Sequence, residues 1–402
     1  MGGAFAATAD DPSAMFYNVA GIAYQRDAKA MIGGTLITFK AEFESDPSQP
    51  FPGSNPNSPF PGEPIREFYE DHHFILPNMY LIYPIGENMT FGIGQFTAFG
   101  LRTDWENGEQ FVGRFISQDA NLKTLSIQPS LAWKTSNDRF AIGAGLEYRA
   151  AHVTLERNLP AINPFNQRIV DIAHARLDSD WEREIGWNIG LMFRPNDDWS
   201  FGVSYRADME MDFAGDADFT QVLTGNPQLD ALIATQLPPD QAITTSIPFP
   251  SFLHFGIATN MITDWTVEID VVRTEWSVFD ELVVDFANPL TPDLEIGQAW
   301  KDAYSYRLGG NHPVTPYWDV RLGALYDENP QPVEAVGPLL PDSDRWGVSF
   351  GVGFDNGRWS VELTEFFLQF LERETMGLNA DNFNGTYETS ANLISLNLGY
   401  TF

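Results

Sequence analysis

At 402 residues the chain is long enough for two or three soluble domains or for one large β domain, so length alone leaves the architecture open. Composition narrows it: 14% aromatic residues and 33 glycines beside only 43% hydrophobic residues suit many amphipathic strands, and no run approaches the roughly 18 apolar residues of a transmembrane helix. The formal charge of -32 repels nucleic-acid phosphates, and the absence of cysteine excludes disulfides and thiolate metal sites.

Residues 1–28 open the chain without alternation. Gly2 to Gly21 reads as short helical turns broken by Pro12 and Gly21, and Met15, Phe16, Tyr17 and Ile22 are too apolar to lie free in water. Met1 to Asp11 show no basic region followed by an apolar stretch, so no signal peptide is visible. An exported chain would carry one, and processing or truncation at this start is then expected.

From residue 29 onward the pattern is dyadic. Phe140, Ile142, Ala144, Leu146 and Tyr148 share one face; so do Trp199, Phe201, Val203 and Tyr205, then Trp318, Val320, Leu322, Ala324 and Tyr326. Trp346 to Phe354 and Ile394 to Phe402 repeat it. Aromatic residues bounding an apolar band are the pattern of lipid-facing strands with interfacial girdles. The opposite face is small or charged, with Glu147 and Arg149 in one strand, Glu268 and Asp270 in another, then Arg307, Arg321 and Glu362, as in a polar lumen. In a soluble sandwich that face would meet solvent instead.

Alternating segments between turn signals place strands near 30–43, 72–85, 89–102, 122–136, 138–157, 170–194, 198–213, 249–261, 264–287, 300–312, 316–328, 343–355, 357–374 and 386–402. Fourteen is even, as a closed antiparallel barrel with both ends on one side requires. Connections such as Ser136-Asn137-Asp138 are short, whereas 44–71 and 214–248 are long and polar, the asymmetry of periplasmic turns and extracellular loops. The predicted fold is all-β: a 14-stranded transmembrane barrel over 29–402, preceded by a small helical hatch over 1–28.

Three motifs invite chemistry and lack its setting. Gly347-Val348-Ser349-Phe350-Gly351 matches a hydrolase nucleophile elbow but lies inside an alternating strand, with all six histidines before it where that fold needs one after. His72-His73 has no third metal ligand at a suitable spacing. The pairs Gly92/Gly94, Gly143/Gly145 and Gly351/Gly353 open no helix, so they cradle no phosphate and fit a crowded lumen better.

Several segments together resemble the FadL family of long-chain fatty acid and hydrocarbon transporters. Ala9 to Gly21 is similar to the family's plug, with Asn18-Val19-Ala20-Gly21 where proline usually follows the asparagine. Gly92-Ile93-Gly94 with Phe99-Gly100-Leu101 resembles its third strand, Ile127-Gln128-Pro129-Ser130 its fourth. Trp300 to Gly309 and Leu340 to Arg345 are longer matches in the expected order.

That resemblance implies an outer-membrane channel that plugs its lumen with the hatch and opens laterally at a kink in the third strand. Hydrophobic small molecules such as fatty acids or related hydrocarbons would pass downhill with no cofactor, through a monomeric barrel set in outer-membrane lipid. An apolar slot suits such cargo, since burying each CH₂ is worth about 0.8 kcal/mol. The competing readings are a polar-solute porin, which would lack an apolar hatch, and a barrel lipid hydrolase. Arg157 and Lys301, each beside a long loop, are expected to hold an anionic head group by charge-assisted bonds. The gate is expected at hatch residues Phe16, Asn18, Ala20 and Gly21 with Phe99 and Gly100, where glycine permits a kink and Asn18 offers both a donor and an acceptor to exposed backbone.

Overall fold

The computed structural model describes residues 1–46, 64–70 and 72–402. Fourteen antiparallel strands pair in sequence order, and the last pairs with the first. They are β1 (Lys29–Ser45), β2 (His73–Ile85), β3 (Met89–Phe96 and Gly100–Asp104), β4 (Asp119–Lys134), β5 (Phe140–Ile162), β6 (Ile169–Ser179 and Glu182–Phe193) and β7 (Trp199–Arg206 and Met209–Gln221). The circuit continues with β8 (Gln241–Phe249 and Phe252–Ile262), β9 (Trp265–Thr274 and Glu281–Phe286), β10 (Leu294–Gly297 and Ala303–Pro313), β11 (Trp318–Asp327), β12 (Arg345–Asp355), β13 (Trp359–Phe370) and β14 (Gly385–Thr401). Closure runs from Lys29 opposite Thr401 to Ser45 opposite Gly385. A closed sheet has no edge, which is how strands satisfy their backbone groups in hydrocarbon.

The dyad pattern sets the two faces of the wall. On β6, Ile185, Trp187, Ile189, Leu191 and Phe193 are exposed while Gly186, Asn188, Gly190 and Met192 face inward and are buried. Such an outward apolar band needs lipid against it. Trp199, Trp318 and Trp359 follow the short turns and lie exposed there, with Phe402, as one aromatic girdle.

Every expected strand is present, but β7 and β8 are longer than expected. The predicted loop 214–248 is strand up to Gln221 and again from Gln241, with the helix Pro227–Gln236 between, capped by the Asn226 side chain. The cause is an inversion of polarity. Below Arg206 apolar residues of β7 point outward; above it Met209, Met211, Phe213 and Ala217 are buried while Glu210, Asp212, Asp216 and Asp218 are exposed. Interruptions at 207–208 in β7 and at Pro250-Ser251 in β8 separate the two regimes, and proline supplies no ladder donor. β5, at 23 residues, likewise far exceeds the roughly 9–11 that a tilted spanning strand needs. Of the expected loop 44–71, Arg66–Phe68 add a short strand to the upper end of β1, while residues 47–63 and 71 lie outside the described residues.

Residues 1–28 sit inside this wall. They form one helical turn (Ala14–Tyr17) and a 3-10 turn (Val19–Tyr24) whose Ala20 N–H is capped by the Asn18 side chain. Met15, Val19, Ala20 and Ile22 are buried against Tyr80, Ile82, Phe96 and Met192 of the barrel. A track of inward glycines makes room: a Cβ at Gly92, Gly143, Gly190, Gly202 or Gly323 would come within 2.8 Å of the segment. Above, Phe43, Tyr69, Trp105, Phe111, Phe383 and Tyr387 form an aromatic cluster between upper strands and connections.

Candidate functional site

The N-terminal segment is fastened by polar groups that point inward from many strands. Gly2 N–H donates to Ser349 Oγ (2.9 Å), Arg307 Nη1 to Gly3 O (3.1 Å), Ser204 Oγ to Tyr17 O (2.5 Å), Gln128 Nε2 to Met15 O (2.8 Å) and Arg206 Nη2 to Phe16 O (3.1 Å). Ser349, the centre of the Gly-x-Ser-x-Gly motif, is therefore a wall residue that accepts from the segment.

The wall is broken between β2 and β3. Their ladder ends at Met79 opposite Gln95, and the next backbone bridge lies at Tyr69 opposite Trp105. Between these points β2 from His73 to Asn78 and β3 from Phe96 to Asp104 face each other with no ladder, although each keeps its other neighbour, β1 and β4. Pro77 faces this interval and has no N–H to leave unpaired. Above it the break is clamped by His72 Nε2 with Asp104 Oδ2 (2.6 Å), with Arg102 Nη2 between Asp104 and Asp119 (2.6 Å to each).

On the β4 side the register is also irregular. Phe96 opposes Ser126 and Gly100 opposes Lys123, so Thr97, Ala98 and Phe99 face only Thr124 and Leu125, a bulge of one residue. The Thr124 side chain stands in for the missing ladder, accepting from Phe99 N–H (3.3 Å) and donating to Phe99 O. Phe99 is thereby turned inward onto Phe249 and Phe252 of β8 and onto Trp276, at centroid separations of 5.0, 5.4 and 6.2 Å. Arg149 lies 4.9 Å from the Phe99 ring and is tied to Glu147, which also pairs with Arg206 and accepts from Ser126 (2.6 Å). Two guanidiniums on one carboxylate leave this buried network with an excess positive charge beneath an aromatic roof.

The predicted gate residues separate into two groups. Phe16 and Phe99 lie at the interrupted strand, Phe16 packing edge-on against Phe96 (5.2 Å). Gly100 lies along the same unladdered interval but is already paired with Lys123 on the β4 side, where the bulge precedes it. Asn18, Ala20 and Gly21 lie elsewhere. Asn18 Nδ2 donates to Ala6 O (2.7 Å) and Leu191 O (3.1 Å), and its Oδ1 accepts from Ala20 N–H, so it joins the segment to itself and to β6 instead of shielding the edges of the gap. Gly21 is needed because a Cβ there would strike Ala9.

Arg157 and Lys301 are not brought together by any hydrogen bond or shared acidic partner among the described residues. Arg157 on β5 is half-buried, with Asp381 as its charged neighbour, while Lys301 is exposed. Burial pushes the Asp381 carboxyl up, and the Arg157 charge opposes that shift. In the N-terminal segment Asp11 is raised to about 7, first by burial and then by the negative charges of Glu362 and Asp10. Sequence reasoning placed Glu147, Arg149, Glu268, Asp270 and Arg307 on the inner face and met Gln128 only within the Ile127–Ser130 match, but no local signal singled out Thr124 or Arg206, whose partners lie far away in the chain.

A family model described as outer membrane protein transport protein (OMPP1/FadL/TodX) matches residues 1–402. A long-chain fatty acid transport protein of Escherichia coli O6:H1 is 23% identical over 353 residues, covering 81% of this chain and 77% of that protein. Among solved structures, a Pseudomonas aeruginosa FadL homologue superposes with a TM-score of 0.83 at 21% identity, covering 98% of this chain and 94% of the other. The Pseudomonas putida toluene transporter TodX gives 0.68 at 17% identity, over 97% and 93% of the two chains. The fold is shared with both.

Proposed function

The chain belongs to the OMPP1/FadL/TodX family of transport proteins, channels of the bacterial outer membrane, and on that premise we propose that it takes up hydrophobic small molecules passively and releases them sideways through its wall. Long-chain fatty acids and monoaromatic hydrocarbons are the two classes that named relatives point to. The supporting observation is the unladdered interval between β2 and β3, at the level where the N-terminal segment fills the lumen. Residues 1–28 act as the hatch in this reading: they obstruct the axial route, so an apolar solute that has reached Phe99 meets the open interval instead. An apolar solute moving from such a slot into lipid never crosses water, and no energy source is needed while the cell consumes it.

Head-group capture belongs to the same reading. Lys301 is exposed near the outer mouth, and Arg157 faces the loop that carries Asp381. An anionic ligand would gain charge-assisted bonds there that the acidic surface denies it elsewhere.

The lateral route is tested by Pro77→Cys with Thr97→Cys, one thiol on each edge of the interval in a chain that has no other. A reducible bifunctional crosslinker between them should abolish uptake of a fluorescent fatty acid, and reduction should restore it. Uptake unaffected by a completed crosslink would show that the ligand leaves by another way.

A further inference from the structure

Five hydrogen bonds from the N-terminal segment converge on two carboxylates of β9. Phe5 and Ala6 N–H donate to Asp270 Oδ2 at 2.8 and 3.0 Å. Ala7 N–H donates to Glu268 Oε1 at 2.6 Å, and Thr8 gives Glu268 Oε2 both its N–H (3.0 Å) and its hydroxyl (2.6 Å). Glu268 and Asp270 stand at i and i+2 on the inner face and are 0% and 1% exposed. Their β8 neighbours include Gly256, opposite Asp270, where a Cβ would strike both the carboxylate and Ala6.

Among the described residues, no other wall residue takes so many bonds from the segment. Ser349 accepts one, Ser200 donates one to Ala7 O (2.5 Å), and Arg307 donates one to Gly3 O. A carboxyl group with no access to water is strongly disfavoured without its donors, and these two receive five between them. Segment and carboxylates therefore need each other while the lumen is dry there. Water can replace all five donors at once if residues 5–8 lift away, which makes the attachment reversible in a way that the apolar packing of Met15 and Ile22 is not.

We propose that Glu268 and Asp270 are positioning residues for transport, a latch that holds residues 5–8 and with them the seal of the lumen. This rests on the reading of residues 1–28 as a hatch. With the latch made, the barrel is closed to ions; with it broken, the segment leaves the β7–β9 wall and an aqueous path opens beside it.

The chain has no cysteine, so Ala4→Cys places one thiol in a site that is fully buried while the latch holds. In that background Glu268→Gln with Asp270→Asn keeps side-chain size but brings amide groups against N–H donors. The control is Ser200→Ala with Ser349→Ala, which removes two bonds to the same segment and spares the latch. The paired amide variant should label with a bulky water-soluble maleimide about tenfold faster or more than the control, the ratio expected when more than one buried hydrogen bond is lost. It should also pass a persistent ion current in planar bilayers. Labelling no faster than the control in protein that still migrates as a folded barrel would overturn the latch, as would a control that opens equally. Should the paired variant fail to fold, Glu268→Gln alone is read by the same two measurements and the same criteria. Hydrophobic uptake measured in parallel separates the two readings. Unchanged labelling with normal uptake sinks the latch alone, whereas fast labelling of the variant, with no uptake by the parent chain, leaves the latch standing and sinks the transport reading.

Discussion

Thr124 holds the backbone of Phe99 on both sides, its hydroxyl accepting from Phe99 N–H and donating to Phe99 O, and so fixes an aromatic ring that turns from the bulge into the lumen. Thr124→Val keeps the shape and removes the hydroxyl. Leaving the Phe99 N–H without its acceptor costs about 1–3 kcal/mol locally. Hydrogen exchange at the Phe99 amide should therefore accelerate by about tenfold or more with the barrel intact. Exchange at the wild-type rate would mean that the hydroxyl does not hold the peptide.

The bulge itself comes from one surplus residue in β3, so removing Ala98 leaves two residues facing two and allows a continuous ladder with β4. The deletion is expected to fold, to remain heat-modifiable and to lose most fatty-acid uptake. Gly100→Val is the companion. A Cβ at Gly100 meets nothing closer than Leu122 O at 3.8 Å and pairing at Gly100 is already regular, so uptake should stay within about twofold of wild type, as for other surface substitutions without a named defect. A large loss in Gly100→Val would return the glycine to the role of hinge.

Asp11 couples the seat of the N-terminal segment to pH. Its carboxyl is raised to about 7 from an ordinary 3.8, so the seated form favours the protonated acid. The contribution is complete below about pH 4 and is lost as pH rises through 7, where the released form gains the charge more readily. Maleimide labelling of Ala4→Cys should thus be faster at pH 8 than at pH 5 after correction for thiol ionisation, and Asp11→Asn should flatten the difference. A pH profile unchanged by Asp11→Asn would assign the dependence to another group.

The glycine track predicts a steric test of the same seat. At Gly202 a Cβ would collide with the Ala6 carbonyl, and backbone on both sides cannot yield as a side-chain tip can. Gly202→Val should displace the segment, costing a few kcal/mol as other overpacking substitutions do, while the outward face of β7 keeps the barrel closed. The measurement is single-channel conductance, which should rise from baseline; a silent channel with Ala4→Cys still unreactive would show that the segment adapts.

Replacing the two cations proposed for the head group, Arg157→Ala with Lys301→Ala, should weaken binding of a fluorescent fatty acid by about tenfold while leaving a neutral aromatic ligand unaffected, since roughly 1.4 kcal/mol is a modest share of a charge-assisted pair. Equal effects on both ligands would locate the loss in packing instead of charge.

Sequence alone determined the wall. A period of two, repeated between turn signals fourteen times, leaves each strand with one apolar and one small or charged face, and a closed barrel in lipid satisfies both faces and every ladder bond. It also marked Met15, Phe16, Tyr17 and Ile22 of the first 28 residues as too apolar for water and placed Glu268 and Asp270 on the inner face. Tertiary structure decided the rest, because the partners involved are distant in the chain. Thr124 is an ordinary strand threonine until the register with β3 slips by one residue, and Gly143, Gly190 and Gly202 are merely small until Val19, Asn18 and Ala6 are laid across them. Residues 214–221 resembled a loop because a strand that rises out of lipid into water inverts its polarity while keeping its period. Where the medium changes along the barrel axis is a property of the assembled wall and its surroundings, and no window of sequence contains it.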